Sequence, residues 1–222
     1  MSTDQTALLR LMQLVSPALP IGSFAYSQGL EYAIESNWIN DEEGTADWIG
    51  GVLEHGLSHV DIPLLARCYS SWQDQEFDQL KSWNQYSLAC RESAELRQED
   101  AATGKALMRL LDSLGCGEAK ILAEPSLPAA FALALVYWEI PLHTGALGYV
   151  WSWAENQVAA AIKTVPLGQT AGQRILIQLE EDLRTAANTG LHIGDEDIGS
   201  TLPGLALASA LHETQHTRLF RS

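Results

Sequence analysis

The sequence predicts an all-α protein: a single-domain bundle of about ten helices over residues 1–222, with short loops and a flexible C-terminal tail at 211–222. Three observations carry this. The chain has 28 Ala and 33 Leu against 7 Val and 12 Ile, an excess of small and straight-chain helix formers over β-branched residues. Apolar residues recur at steps of three and four: Leu147, Trp151, Ala154, Val158, Ile162 and Val165 form one such stripe, and Gly172, Leu176, Leu179, Leu183 and Ala186 another. Arg174, Gln178 and Glu181 fall outside the second stripe, and Glu180 precedes Arg184 by four residues, the spacing of a supporting ion pair on a solvated face. Finally, no linker, low-complexity segment or internal repeat divides the 222 residues, a length that fits one domain with a sizeable core.

Local punctuation then places the elements. Ser2, Thr3 and Asp4 offer a cap for a first helix that reaches Val15, where Ser16-Pro17 stops it because the residue before proline avoids the α region. A second helix is expected over 24–36 and a third over 42–59. Pro63 fits the first turn of a fourth. Further helices are expected over 76–89, 92–114, 127–138, 144–165 and 169–188. Thr189-Gly190 ends that series, and Pro203 opens a last helix toward His212.

Composition excludes several roles. Thirteen Lys and Arg against 28 Asp and Glu give a net charge of −15, which repels phosphate backbones and anionic headgroups and argues against nucleic-acid or membrane-surface binding. With 46% hydrophobic and 18% charged residues the chain is not disordered. Cys68, Cys90 and Cys116 are odd in number and contain no CxxC pair, so they read as small buried apolar groups in a reducing compartment. Residues 1–14 lack a basic start and a long apolar stretch, and the longest apolar run, 129–138, is half of what a bilayer requires. A cytoplasmic location is expected.

Few strings resemble catalytic chemistry. His212-Glu213-Thr214-Gln215-His216 is a literal HExxH, which on a helix would place two imidazoles and a general-base glutamate around zinc. Only residues 217–222 follow, without His, Asp or Glu, so a third ligand would have to come from upstream, from His192, Asp195 or Glu196. His55 and His59 form a second i, i+4 pair near Asp61, a spacing suited to nickel or zinc but equally to two solvated or core-satisfied histidines. Gly104-Lys105 resembles the end of a phosphate-binding loop, but Glu99 stands at the place of the first glycine and Ala106 at that of Ser/Thr. No GxSxG or GxGxxG occurs.

Three segments exceed what a core requires. Residues 16–24 are stiffened by Pro17 and Pro20 and lead to Tyr26, Gln28 and Glu31. Residues 165–173 form a Gly- and Gln-bearing joint preceded by Lys163, the one Lys or Arg between Lys120 and Arg174. Residues 217–222 place Arg218 and Arg221 around Leu219 and Phe220 with no later segment to cover them, so the tail is expected to fray alone and to order on a partner.

Taken together, the blocks LMQL (residues 11–14), SPALPIGSFAYSQGLE (16–31), Ala89-Cys90-Arg91-Glu92 with Glu95-Leu96-Arg97, VPLGQTAGQ (165–173) and HETQHTRLFRS (212–222) resemble the urease accessory protein UreF family, from the first helix to the last residue. His216 and Thr217 stand where the family more often carries tyrosine and serine, so the extra histidine makes the HExxH string by coincidence. The resemblance implies a non-catalytic, all-α protein without a cofactor that acts in nickel incorporation into apo-urease. It implies binding to UreD (also called UreH), recruitment or regulation of the GTPase UreG, and homodimers in the complex. By the same resemblance, Arg218, Leu219, Phe220 and Arg221 would dock UreD, and Phe24, Tyr26 and Glu31, with Lys163, would face UreG. The rival readings are a zinc-dependent hydrolase using His212, Glu213 and His216, and a helical binding module of an unrelated assembly.

Overall fold

A computed structural model describes residues 5–222; the proposed cap at Ser2, Thr3 and Asp4 lies outside them. The described residues form eleven α-helices and no strand: α1 (Gln5–Leu14), α2 (Leu30–Glu35), α3 (Glu42–Val52), α4 (Asp61–Gln73), α5 (Phe77–Ala89), α6 (Ala94–Ser113), α7 (Leu127–Tyr137), α8 (Leu142–Thr164), α9 (Gln169–Gln178), α10 (Glu180–His192) and α11 (Pro203–His212).

Helix α7 is the axis of the bundle. Every residue from Pro128 to Leu135 is buried, so the helix is apolar all round and has no polar face to expose, the signature of a central helix. Its start is specified locally: the Ser126 hydroxyl accepts from the Ala129 N–H, and Pro128 occupies the first turn. Helices α4, α5, α6 and α8 pack around it. Trp72 of α4 donates its indole N–H to the Ala129 carbonyl at 2.9 Å. Gly104 of α6 lets the chain at Pro125 and Ser126 approach so closely that a Cβ would lie 2.4 Å from the Pro125 carbonyl oxygen. The glycine of the apparent phosphate loop is therefore a packing residue.

Four boundaries differ from expectation. Helix α10 does not stop at Thr189-Gly190 but runs to His192, and Gly190 instead admits Ile62, whose Cβ lies 2.6 Å from where a Cβ on the glycine would stand. The helix expected over 24–36 is a 3₁₀ turn (Ser23–Ala25), then Gln28 and Gly29 in the left-handed region, then the short α2. Its bend has a steric cause, since a Cβ on Gly29 would sit 2.8 Å from the Ser209 nitrogen of α11. The helix expected over 42–59 runs as α3 to Val52 and then widens into a π turn (Leu53–Leu57). The helix expected over 169–188 breaks at Leu179 into α9 and α10.

The α8 stripe needs correction. Ala154 and Val158 are buried, but Leu147 and Trp151 are 37% and 38% exposed. In their half of the helix the inside is Gly145, Ala146, Gly148, Tyr149 and Val150. Gly145 receives Leu135, and Gly148 receives Leu11 of α1, each at a distance that no Cβ permits. Small residues therefore form the contact and large ones face out. The second stripe, from Gly172 to Ala186, is buried throughout. Arg184 pairs with Glu181 rather than with Glu180 across the expected four-residue spacing.

One buried ionic cluster ties α4, α6 and α8 together. Arg91 contacts both Asp61 oxygens, at 2.9 and 3.1 Å, and Asp100 at 2.9 Å. The Tyr149 hydroxyl donates to Asp61 at 2.8 Å, and the Leu127 N–H donates to Asp100 at 2.7 Å. Burial alone works to lower the Arg91 pKa, but Asp100 and Asp61 outweigh it and hold the guanidinium charged. Burial pushes the Asp100 carboxyl and Tyr149 hydroxyl up. Bidentate pairing of this kind fixes geometry more than it adds net stability. Cys68 and Cys116 are buried thiols raised by burial, and Cys90 is half-buried.

Candidate partner-docking site

The tail does not stand free as the sequence suggests; it folds back onto the turn around residues 25–31. Phe220 is 6% exposed and Ser222 fully buried, whereas Leu219 is 69% exposed and Arg221 also faces solvent. Earlier parts of the chain cover Phe220: Leu30, Ala33, Ile39, Ala160, Ala161 and Ala208 share its cluster.

The seat is built from backbone and carboxylate contacts. The Arg221 N–H donates to the Ala25 carbonyl at 2.8 Å, and the Ser27 N–H donates to the Ser222 carbonyl at 2.8 Å, so the tail runs along the turn like an added strand edge. The Ser27 hydroxyl donates to the same Ser222 oxygen at 2.5 Å. Glu31, 6% exposed, is the hub. Its Oε1 accepts from the Leu219 N–H at 2.7 Å, and its Oε2 from the Phe220 N–H at 3.0 Å. His212 Nε2 lies 3.1 Å from the same Oε2, and His212 Nδ1 lies 2.7 Å from Glu95 Oε2. Glu95 also accepts from Arg218 at 2.8 Å.

Below this layer lies a second carboxylate. Glu99 of α6 accepts from Ser222 Oγ and from Gln28 Nε2, both at 2.8 Å, and Trp153 of α8 donates to Gln28 Oε1 at 2.8 Å. Burial pushes the Glu99 carboxyl up to about 7, against the opposing hydrogen bonds from Gln28 and Ser222. Lys163 of α8 places its ammonium 5.5 Å from the Phe220 ring centre, a cation–π contact that the sequence could not pair.

The eight residues expected to meet partners thus fall into two sets. Tyr26, Glu31 and Phe220 are buried and act within the chain. Phe24, at 64% exposure, and Lys163, Arg218, Leu219 and Arg221 reach the surface around them. Sequence reasoning noted Gln28 and Glu95 without their contacts, and missed the roles of Glu99 and of the inward-facing His212. No local signal marks them, because each partner lies more than 70 residues away in the chain.

The zinc reading fails on geometry. Helix α11 ends at His212, so Glu213 to His216 leave the helix and both of those residues face solvent, while His212 is fully buried against two glutamates. His55 lies within the π turn and His59 beyond it, so they do not share a regular α-helical i, i+4 face. His59 Nδ1 lies 2.7 Å from Ser58 Oγ, and Asp61 is engaged by Arg91. Among the described residues no group of three His, Cys, Asp or Glu side chains is arranged to hold a metal ion.

Comparison with known proteins follows the same line. Residues 39–180 match the UreF family model. A urease accessory protein UreF of Alkalilimnicola ehrlichii is 51% identical over 228 aligned positions that cover all of both chains. The protein of that name in Marinobacter nauticus is 51% identical over 97% of this chain and 94% of its own, and that in Marinomonas sp. is 47% identical over 99% and 96%.

Two outcomes are expected at the seat. Glu31→Gln leaves one side-chain acceptor where two amide donors and an imidazole converge, so amide exchange at Leu219 and Phe220 should accelerate about tenfold or more while the helical spectrum is kept; unchanged protection of both amides contradicts the hub assignment. For Glu99 the folded pKa lies above the unfolded one, so the native state holds the extra proton and stability falls as pH rises from roughly 4.3 to about 7. Glu99→Gln should flatten that decline, with the melting temperature of the variant gaining on that of the wild type between the two limits and level beyond them.

Proposed function

The chain belongs to the UreF family of urease accessory proteins, a non-catalytic family, and from that premise we propose that it is an adaptor for nickel incorporation into apo-urease. In this reading it binds UreD (UreH) through its tail and recruits and regulates the GTPase UreG through the neighbouring surface. The observation that carries the reading is the tail seat. It holds the backbone of 219–222 by five hydrogen bonds while leaving Leu219, Arg218 and Arg221 outward. A leucine and two arginines on a fixed base are an anchor cluster of the kind that dominates protein interfaces.

The assignments divide by exposure. Leu219, Arg221 and Arg218 are the proposed contacts with UreD, and Phe220 sets their spacing from below. Phe24 and Lys163 are the proposed contacts with UreG, with Tyr26 and Glu31 shaping the turn beneath them. Tyr26 does so through its carbonyl, which accepts from Asn156 at 3.2 Å.

A homodimer in the complex is part of the proposal, and one face supports it. Helix α1 crosses α8 at Gly148, and around that crossing Leu8, Leu9, Met12, Leu147 and Trp151 are all more than a third exposed. Five large exposed apolar side chains on two helices that meet suit an isologous contact. No described helix is long and apolar enough to cross a membrane, which fits the cytoplasmic site where nickel insertion is proposed to occur.

The adaptor reading is tested by co-expression with UreD, UreG and apo-urease. Leu219→Asp combined with Arg221→Glu alters only outward side chains, so the folded monomer should persist while UreD capture and nickel-dependent urease activation are lost; full activation by this variant refutes tail docking. Separately, Trp151→Glu should shift the wild-type assembly toward monomer in light scattering after size exclusion, and an unchanged mass rejects this face as the dimer contact.

A further inference from the structure

Helix α6 carries a cationic face that nothing in the adaptor reading uses. Seven of the thirteen Lys and Arg residues form ion pairs with carboxylates among the described residues, as an excess of acid would dictate. Arg97, Lys105 and Arg109 do not. All three are exposed, and none has a carboxylate within ion-pair distance among the described residues. At about 100° per residue they lie within about 120° of one another on the helix, along roughly 18 Å of its length.

Between them the floor is small. Ala94, Ala101 and Ala102 line a shallow groove with Arg97 and Lys105, closed on its far side by Ala123 and Glu124. Alanines let another backbone approach closely, and the cations rise at the edge. Two acidic groups border the face. Asp112 is neutralised by Lys120 at 3.0 Å, and Glu124 is the single free carboxylate lining the groove.

We propose that this face docks an acidic helical segment of a partner protein, its carboxylates meeting Arg97, Lys105 and Arg109 and its backbone lying over the alanines. Charge complementarity selects the occupant, and reach selects its size. Screening confines each cation's influence to roughly 8 Å at physiological salt. A short acidic segment remains inside the positive patch, whereas a nucleic-acid duplex or an anionic bilayer extends past it over a surface of net charge −15. The tail's two arginines are not part of this face: Arg218 is held by Glu95, and the Arg221 backbone is held by Ala25. The inference is therefore independent of the UreD and UreG assignments.

The test uses the full chain and a fluorescein-labelled helical peptide with Glu on one face and Ala between, read by anisotropy. Saturable binding is expected, weakening as salt rises and falling about tenfold or more in Arg97→Glu/Lys105→Glu/Arg109→Glu. Arg97→Gln/Lys105→Gln/Arg109→Gln serves as a second variant should charge reversal disturb folding. Leu219→Asp should bind the peptide as the wild type does. Equal affinity of the triple variants, equal affinity for a peptide with Gln in place of Glu, or tighter capture of duplex DNA or phosphatidylserine vesicles would overturn the proposal.

Discussion

A buried carboxylate, that of Glu31, holds the tail onto the turn around residues 25–31. It stands on α2, at the end of a turn that two prolines stiffen, and it accepts from two consecutive tail amides while facing an imidazole of α11. An isolated carboxylate at this depth would cost several kcal/mol. Three polar partners offset that cost, since hydrogen bonds to a charged acceptor contribute about 1.5–3 kcal/mol each. The carboxylate and the tail are therefore mutually required: without the tail Glu31 is buried and underserved, and without Glu31 two amides lose their acceptor. Glu95 and Glu99 repeat the pattern on α6, one holding Arg218 and His212, the other holding Ser222.

That arrangement bears on the docking proposed for the tail. A frayed tail would lose about 1–2 kcal/mol of backbone conformational entropy per residue on meeting its partner. Here the ordering occurs within the chain, against Phe220's pocket and the Glu31 hub, so in the proposed docking the surface is shaped before any partner arrives. Side chains alternate in role along the tail: Arg218 and Leu219 out, Phe220 in, Arg221 out, Ser222 in. The inward residues define the positions of the outward ones.

Much of the surrounding fold was readable in advance for a physical reason. A helix over 127–138 and the buried stripe from Gly172 to Ala186 were legible because each pattern is set by neighbours within a few residues, whereas the central place of α7 and the break at Leu179 were not. The α8 stripe misled at Leu147 and Trp151 because pattern reading treats large apolar residues as the inside. Contact at Gly145 and Gly148 is decided by how closely Leu135 and Leu11 approach, a distance that no local pattern encodes.

The sequence by itself determined that the protein is all-helical and acidic, where most of its helices begin and end, and that it belongs with the urease accessory UreF proteins. Those properties follow from local periodicity, turn chemistry, net charge and the order of motif blocks. Only the tertiary structure decided that Glu31 and Phe220 face inward, that His212 serves two glutamates rather than a metal, and that Lys163 covers Phe220. Each of these depends on groups between about 57 and 189 positions apart being brought within a few ångströms, and a contact across that separation is a property of packing that no window of sequence contains.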